Sequence, residues 1–174
     1  AADGYYRMKK KPASTLLHLG PGLANGLANL HNAKKANSGI VNIVGEHAID
    51  HIKLNAPLTS DIEGIAHPVS HWVKTCNASL EVGKNAAKAV KESSNPPGKI
   101  ATLILPGDTA WNEGKISPPL KINKRNEIDN QKINITAREL KNAKNPMILV
   151  GGEALEEKNL MLAAKIAAKF DCPI

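Results

Sequence analysis

Aromatic residues are scarce: two Trp, two Tyr and one Phe make up 3% of the 174 residues. The core must therefore be built from Ala, Leu, Ile and Val. Cysteine is nearly absent too. Cys76 and Cys172 cannot supply a disulfide framework, which fits a reducing, cytoplasmic compartment. No apolar run approaches the roughly 20 residues that a membrane-spanning helix needs, so no membrane partner is expected. Neither a G-x-S-x-G elbow nor a Walker motif is present, which leaves triad hydrolysis and P-loop chemistry without support. There is no initiator Met and no signal or transit peptide. Residues Ala1 to Arg7 read as the end of a helix, and Cys172-Pro173-Ile174 stops where a strand would begin. The chain therefore reads as an internal piece of a longer protein.

What is present is globular composition: 42% apolar residues and 22% charged residues. The 23 Lys and Arg outnumber the 16 Asp and Glu, for a formal charge of +7. Arg7, Lys9, Lys10 and Lys11 form one short basic cluster, and the other basic residues are scattered. A nucleic-acid module would pair a basic face with stacking aromatics or a known motif. Neither is visible, so no nucleic-acid partner is expected and the positive charge reads as a solvated surface.

The apolar pattern alternates strands and helices. Ser14–Leu19 reads as a short buried strand, Gly20-Pro21-Gly22 as a sharp turn, and Leu23–Ala36 as a helix ended by Asn37-Ser38-Gly39. Ile40–Val44 is an apolar strand, followed by an irregular stretch to about Ser60. A helical turn is expected at Asp61–Ala66 and a short strand within Val69–Thr75. Ser79 is expected to cap a helix through Val90, ahead of a loop at Ser93–Gly98 and a strand at Ile100–Leu105. Strand, helix and strand joined by short loops imply right-handed parallel crossovers, hence an α/β fold with a parallel sheet flanked by helices. From Asn112 to about Gln131 the composition turns to Lys, Asn and Pro, the mark of a linker. A second α/β unit is then expected. Thr136 and Glu139 form a capping-box pattern for a helix through Ala143, and Met147–Val150 reads as a strand. Gly151-Gly152 turns the chain into a helix whose stripe Leu162, Ile166 and Phe170 should be buried.

Several candidate sites weaken on inspection. Gly151-Gly152 lacks the G-x-G-x-x-G spacing of a dinucleotide loop, so no NAD binding is expected. His47 and His51, like His67 and His71, are four apart, but both pairs sit in loop-like segments with no third ligand at metal-site spacing. They read as hydrogen-bonded or solvated histidines, and no metal ligand is assigned. Asn77-Ala78-Ser79 and Asn134-Ile135-Thr136 are glycosylation sequons with nothing else to suggest secretion. The Gly20-Pro21-Gly22 turn is different in kind. It joins a strand to a helix, glycine lets main chain approach a ligand closely, and the helix start favours an anion or polar ring. A plain tight turn explains the tripeptide as well.

Ala2-Asp3-Gly4-Tyr5-Tyr6-Arg7-Met8, then Lys11-Pro12, then Gly20-Pro21-Gly22-Leu23-Ala24-Asn25 resembles thiamine-diphosphate enzymes of the acetolactate synthase large-subunit type. Their N-terminal domain carries A-D/E-G-Y-A-R-x-x-G-K-P followed by S-G-P-G-x-x-N at this spacing. Val41–Gly45 is similar to the family's next strand, Ser94–Gly107 to its last loop and strand, and residues 138–152 to the opening of its central domain. Gly22–Ala33 and Asn55–Ile62 look like a subgroup of acetolactate synthase-like proteins with no settled substrate.

The resemblance implies an organisation. Residues 1–113 would be most of a pyrimidine-binding domain, 114–130 a linker, and 131–174 the start of a Rossmann-like central domain. It implies a thiamine-diphosphate and Mg2+ enzyme acting beside the carbonyl of a small-molecule 2-oxo acid, as a homodimer or homotetramer whose cofactor lies between subunits. The cofactor-binding residues implied are Gly20, Pro21, Gly22 and Asn25. Leu58, Thr59 and His71 are implied on the substrate side. The family's glutamate that activates the aminopyrimidine would precede Ala1, so no catalytic residue is assigned here, and this segment alone is expected to be inactive. Pro96 stands where the family has a flavin-contacting Arg, which removes the basis for FAD. Pro57-Leu58 replaces the synthases' Phe-Gln, and His71 a Lys, so a decarboxylase or lyase acting on another substrate is the alternative. A non-catalytic α/β interaction module is a further one.

Overall fold

The computed structural model describes residues 1–123, 125 and 127–174. The chain clusters into two compact units, Ala1–Lys124 and Arg125–Ile174.

Four strands form one parallel sheet in the first unit: β1 (Ala13–His18), β2 (Ile40–Glu46), β3 (Trp72–Thr75) and β4 (Ile100–Pro106), in the order β1-β2-β4-β3. Helices α1 (Ala2–Lys9), α2 (Leu19–Lys35), α3 (Ile49–Ile52), α4 (Ile62–Ala66) and α5 (Ser79–Ser94) complete it. The pairing β1→β2 runs one way across the sheet and β3→β4 runs back. A right-handed crossover in each direction puts the connecting helix on opposite faces. This is what the burial shows. Leu23, Leu30 and Ala33 of α2 and Ile62 and Ala66 of α4 pack with Ile40, Val44, Ile100 and Ile104 on one face. Ala89 of α5 packs with Val41 and Ala101 on the other. Full burial of a Leu such as Leu23 stabilises by about 1.5–3 kcal/mol.

A polar row crosses the first face. Thr15, Asn42 and Thr102 occupy one register line. Thr15 Oγ1 donates to Asn42 Oδ1 at 2.8 Å, Asn42 Nδ2 donates to Thr102 Oγ1 at 3.1 Å, and Thr102 Oγ1 lies 2.7 Å from Ser70 Oγ. Asn42 and Thr102 are fully buried, so the row is tolerable only because its members satisfy one another.

Several boundaries differ from the sequence expectations. β1 is not buried throughout: it is the edge of the described sheet, and burial alternates along it, with Leu16 80% exposed. The Gly20-Pro21-Gly22 tripeptide is not a turn but the first turn of α2, and the chain reverses one residue earlier, at Leu19 with φ +54°. Ser79 does not cap α5. Ala78 holds that position, and the Ser79 hydroxyl donates to Glu113 O at 2.6 Å. The same helix runs on through Ser93 and Ser94, so the loop before β4 is shorter than expected.

In the second unit α6 (Asn130–Asn142) starts six residues before Thr136, capped by Asp129, whose side chain accepts from Gln131 N and Lys132 N. Thr136 is therefore mid-helix. Met147–Val150 forms no ladder; a single bond from Ile148 N to Pro173 O, 2.9 Å, is what it makes with the main chain. After a 3₁₀ turn at Gly152–Leu155, α7 (Glu157–Phe170) follows, but the expected buried stripe is open: Leu162 and Ile166 are exposed, and Ala163 is the buried residue. The stretch between the units contains Lys124 and Asn126, which lie outside the described residues. Its first part lies against α5: a side chain at Gly83 would overlap Lys115 O, and Asn123 N donates to Asn95 Oδ1 at 2.9 Å.

Candidate functional site

In an open parallel sheet, ligands bind outside the carboxyl ends of the strands, where the connections leave toward opposite faces. That place is defined here. β2 leads through His47 and α3 to α4 on the first face. β4 leads into the Gly107–Ala110 turn, which packs with α5 on the second. β1 feeds α2 beside them.

Gly20 is the closest approach at this end. It is buried in the first turn of α2, and a Cβ there would overlap both Cβ and Oγ of Ser60. Gly22 carries no such demand: its nearest neighbour, Leu17 C, would lie at an ordinary 3.4 Å. Pro21 fits the first helical turn, where its missing N–H has no partner to lose. Pro21 and Asn25 are one helical turn apart, hence on one face of α2, and both are exposed.

The segment against Gly20 is tightly tied. Thr59 N donates to Ala56 O at 2.8 Å, Ser60 Oγ to Leu58 O at 3.1 Å, and Ile62 N to Ser60 O at 2.9 Å. Asp61 then caps α4, its carboxylate accepting from Gly64 N at 2.8 Å. Leu58 is exposed, while Thr59 Oγ1 is buried without a hydrogen-bond partner among the described residues. The structure thus brings Gly20, Pro21, Gly22, Asn25, Leu58 and Thr59 to the same end of the sheet.

His71 lies at the opposite, amino end. Its Nδ1 accepts from Ile100 N at 3.0 Å, and its own N–H donates to Ile100 O at 2.8 Å. Burial of the ring, then the charges of Lys34 and Lys99, hold its pKa below the ordinary histidine value. The same end carries α1. Asp3 accepts from Arg7 at 2.9 Å and from the Ser38 hydroxyl, and Tyr6 Oη donates to Pro97 O at 3.0 Å. The bond from Arg7, more than that from Ser38, holds the Asp3 carboxyl below its usual value. Gly98, at φ +118°, and Gly39 leave room for the Tyr6 ring. The A-D-G-Y-Y-R segment is thus a clamp on the loops entering β2 and β4.

Sequence reasoning passed over His47, reading it as an ordinary loop histidine. Its Nε2 is buried with no hydrogen-bond partner, its ring lies 5.2 Å from that of His51, and its N–H donates to Glu46 Oε1 at 2.7 Å. An unsatisfied buried polar atom costs about 1–3 kcal/mol, so two at one end of a sheet, His47 Nε2 and Thr59 Oγ1, mark a place awaiting polar partners. Its position directly after the apolar strand's Gly45-Glu46 was the available signal. Among the described residues no group of three His, Cys, Asp or Glu side chains could hold a metal ion, and no helix is long and apolar enough to cross a membrane.

At this end of the sheet stand the exposed Pro21 and Asn25 and the two orphaned polar atoms, while the bare side of Gly20 is taken by Ser60. Comparison with known proteins bears on the family. Residues 1–69 match the thiamine pyrophosphate enzyme N-terminal TPP binding domain. Over 166 residues, 95% of the chain, it is 43% identical to "Putative acetolactate synthase large subunit IlvX" of Mycobacterium tuberculosis, covering 32% of that protein. It is 27% identical over 158 residues, 87% of the chain, to the acetolactate synthase of Mycobacterium leprae, covering 25% of it. The thiamine diphosphate-dependent 4-hydroxybenzoylformate decarboxylase of Rhodococcus jostii shares the fold with a TM-score of 0.83 at 21% identity, over 99% of this chain and 34% of that one. The chain therefore spans about a third or less of these relatives. Residues 1–69 thus carry the N-terminal domain of the thiamine pyrophosphate enzymes, and the chain as a whole is similar to acetolactate synthase-like members of that family.

Proposed function

We propose that this chain supplies the pyrimidine-side wall of an enzyme that makes or breaks a carbon–carbon bond next to the carbonyl of a 2-oxo acid. The observation that carries the reading is the start of α2 at the carboxyl end of β1, where exposed Pro21 and Asn25 share one face of the helix. When bound, thiamine diphosphate supplies the electron sink for a carbanion formed at a former carbonyl carbon. The chain's own part is positional. Gly20 lets the start of α2 close against Ser60, Pro21 offers a rigid apolar surface, and the Asn25 amide offers both a donor and an acceptor. The Leu58–Thr59 segment borders the same space on the substrate side.

The remaining parts are proposals about the whole protein. Magnesium would bridge the cofactor's diphosphate to residues of a diphosphate-binding domain, and the site would be completed by a second subunit of a homodimer or homotetramer. No role is proposed for FAD. One observation favours a substrate other than that of the biosynthetic synthases: exposed Leu58 follows Pro57 where those enzymes have Phe-Gln. A decarboxylase or lyase reading rests on that.

The test uses the full-length protein with Mg2+ and thiamine diphosphate. Asn25→Ala should weaken cofactor binding about tenfold, the worth of one side-chain hydrogen bond, with the melting temperature unchanged. Equal affinity in the variant would overturn the assignment. Incubation with pyruvate then separates the reactions: a condensed acid for a synthase, a free aldehyde for a decarboxylase.

A further inference from the structure

We propose that His47 is a substrate-recognising residue of the same site, its Nε2 taking an oxygen of the 2-oxo acid's carboxylate. The inference rests on the thiamine-diphosphate reading above and adds to it a residue that no comparison assigns.

Position comes first. His47 is the residue immediately after β2, and the neighbouring strand β4 ends at Pro106 in register with Glu46. The two connections part here, one toward α4 and the other toward α5, so His47 stands at the mouth of the crevice where a ligand of such a sheet is held. The two connections are tied to each other: Ile49 N donates to Asp108 Oδ1 at 3.2 Å, and the Trp111 ring lies in ordinary contact distance of Gly107.

Chemistry comes second. An imidazole nitrogen is a donor or an acceptor and is never indifferent to its surroundings. The neighbouring carboxylate does not serve it: Glu46 Oε1 accepts from the His47 backbone N–H. His51 stands ring to ring with it at 5.2 Å, too far between centroids for more than a tilted contact. The His47 Nε2 is left buried and unpaired among the described residues. A group that brings its own oxygen would satisfy it, and a carboxylate accepts best from an N–H donor. The exposed Trp111, lying over Gly107, offers an apolar surface to the rest of such a molecule.

The experiment uses the full-length protein with Mg2+. Thiamine diphosphate is titrated first; then methyl acetylphosphonate, a pyruvate analogue that cannot lose carbon dioxide, is titrated into the loaded protein by calorimetry. His47→Asn should leave thiamine diphosphate affinity within about twofold and weaken the phosphonate by about tenfold or more, the cost of one charged hydrogen bond. His47→Gln, whose amide reaches the position of Nε2, should recover most of the loss, and His51→Asn should change neither affinity. Unaltered phosphonate binding in His47→Asn, with the cofactor bound normally, overturns this inference and leaves the cofactor reading standing. Loss of both affinities together overturns it as well, since that marks a structural role. Failure of the unmutated protein to bind thiamine diphosphate overturns the reading beneath it.

Discussion

Gly20 illustrates how a single absent side chain sets a site. The atoms it would displace are Ser60 Cβ and Oγ, and the Cβ is not a flexible tip that can swing aside. Gly20→Ala must push the Leu58–Asp61 segment away from α2 or unwind the first turn of that helix. Overpacking of this kind costs about 1–3 kcal/mol. Gly20→Ala should lower the urea midpoint, and adding Ser60→Gly should restore much of it. If the double variant is no better than the single, the close approach is not the reason for the glycine. His71 gives a second prediction at this scale. The folded state holds its pKa below the ordinary histidine value through burial and the nearby Lys34 and Lys99 charges, and protonation at Nδ1 would forfeit the bond from Ile100 N. The unfolded chain therefore takes up this proton first as pH falls. The contribution is present above about pH 6.5 and is lost below it as pH drops through the folded value. In His71→Asn, Oδ1 can accept the same N–H without titrating. Urea unfolding at pH 7.5 and 5.5 should show a smaller acid loss in the variant than in the unmutated chain; equal losses would remove His71 from the account.

At the scale of elements, what was legible depended on where the signal lies. β2 and β4, the two interior strands, are continuous apolar runs and could be read directly, because burial on both faces writes itself into the sequence. β1 misled, since Thr15-Leu16-Leu17 looks buried although the second Leu alone faces the helices. Capping was the least legible signal. Ser79 and Thr136 both look like caps, but Glu113 O claims the Ser79 hydroxyl, and Asp129 starts α6 earlier. No local pattern reports a partner 34 residues away. The site divided the same way. Gly20, Pro21 and Asn25 become candidates through a motif, whereas His47 becomes one only through the strand order, because the reversal between β2 and β4 makes its position special. α5 carries a prediction of its own. Gly83 lies under the main chain of Lys115, with Ser117 N also close, at 3.2 Å from where a Cβ would stand. Gly83→Ala should lift the 113–117 segment while helix propensity alone would favour Ala by about 1 kcal/mol. Hydrogen exchange should quicken at residues 115–117 and stay unchanged in β2; uniform protection would refute the contact.

At the scale of the whole molecule, the two ends of the sheet divide the labour. The amino end carries structural contacts: Asp3 on Ser38, Tyr6 on Pro97 and His71 on Ile100. The carboxyl end is left with exposed Pro21, Asn25 and Leu58 and with the two unpaired polar atoms. The A-D-G-Y-Y-R segment therefore belongs to the scaffold, and the proposed site lies at the other end of the strands. A wall of this kind offers a heterocycle one face. Binding a small ligand tightly requires enclosing most of its surface, and a diphosphate further requires cations or a metal to offset its charge. Among the described residues there is no three-ligand metal group, and Pro21 and Asn25 are exposed. Residues 1–174 by themselves should accordingly bind thiamine diphosphate in the presence of Mg2+ only weakly, in the millimolar range or above, whereas the full-length protein should bind it in the micromolar range, a difference of about 4 kcal/mol per thousandfold. Calorimetry on both decides the matter. Micromolar binding by residues 1–174 would mean that the carboxyl-end crevice is a complete site in its own right, and the need for a second domain or subunit would fall.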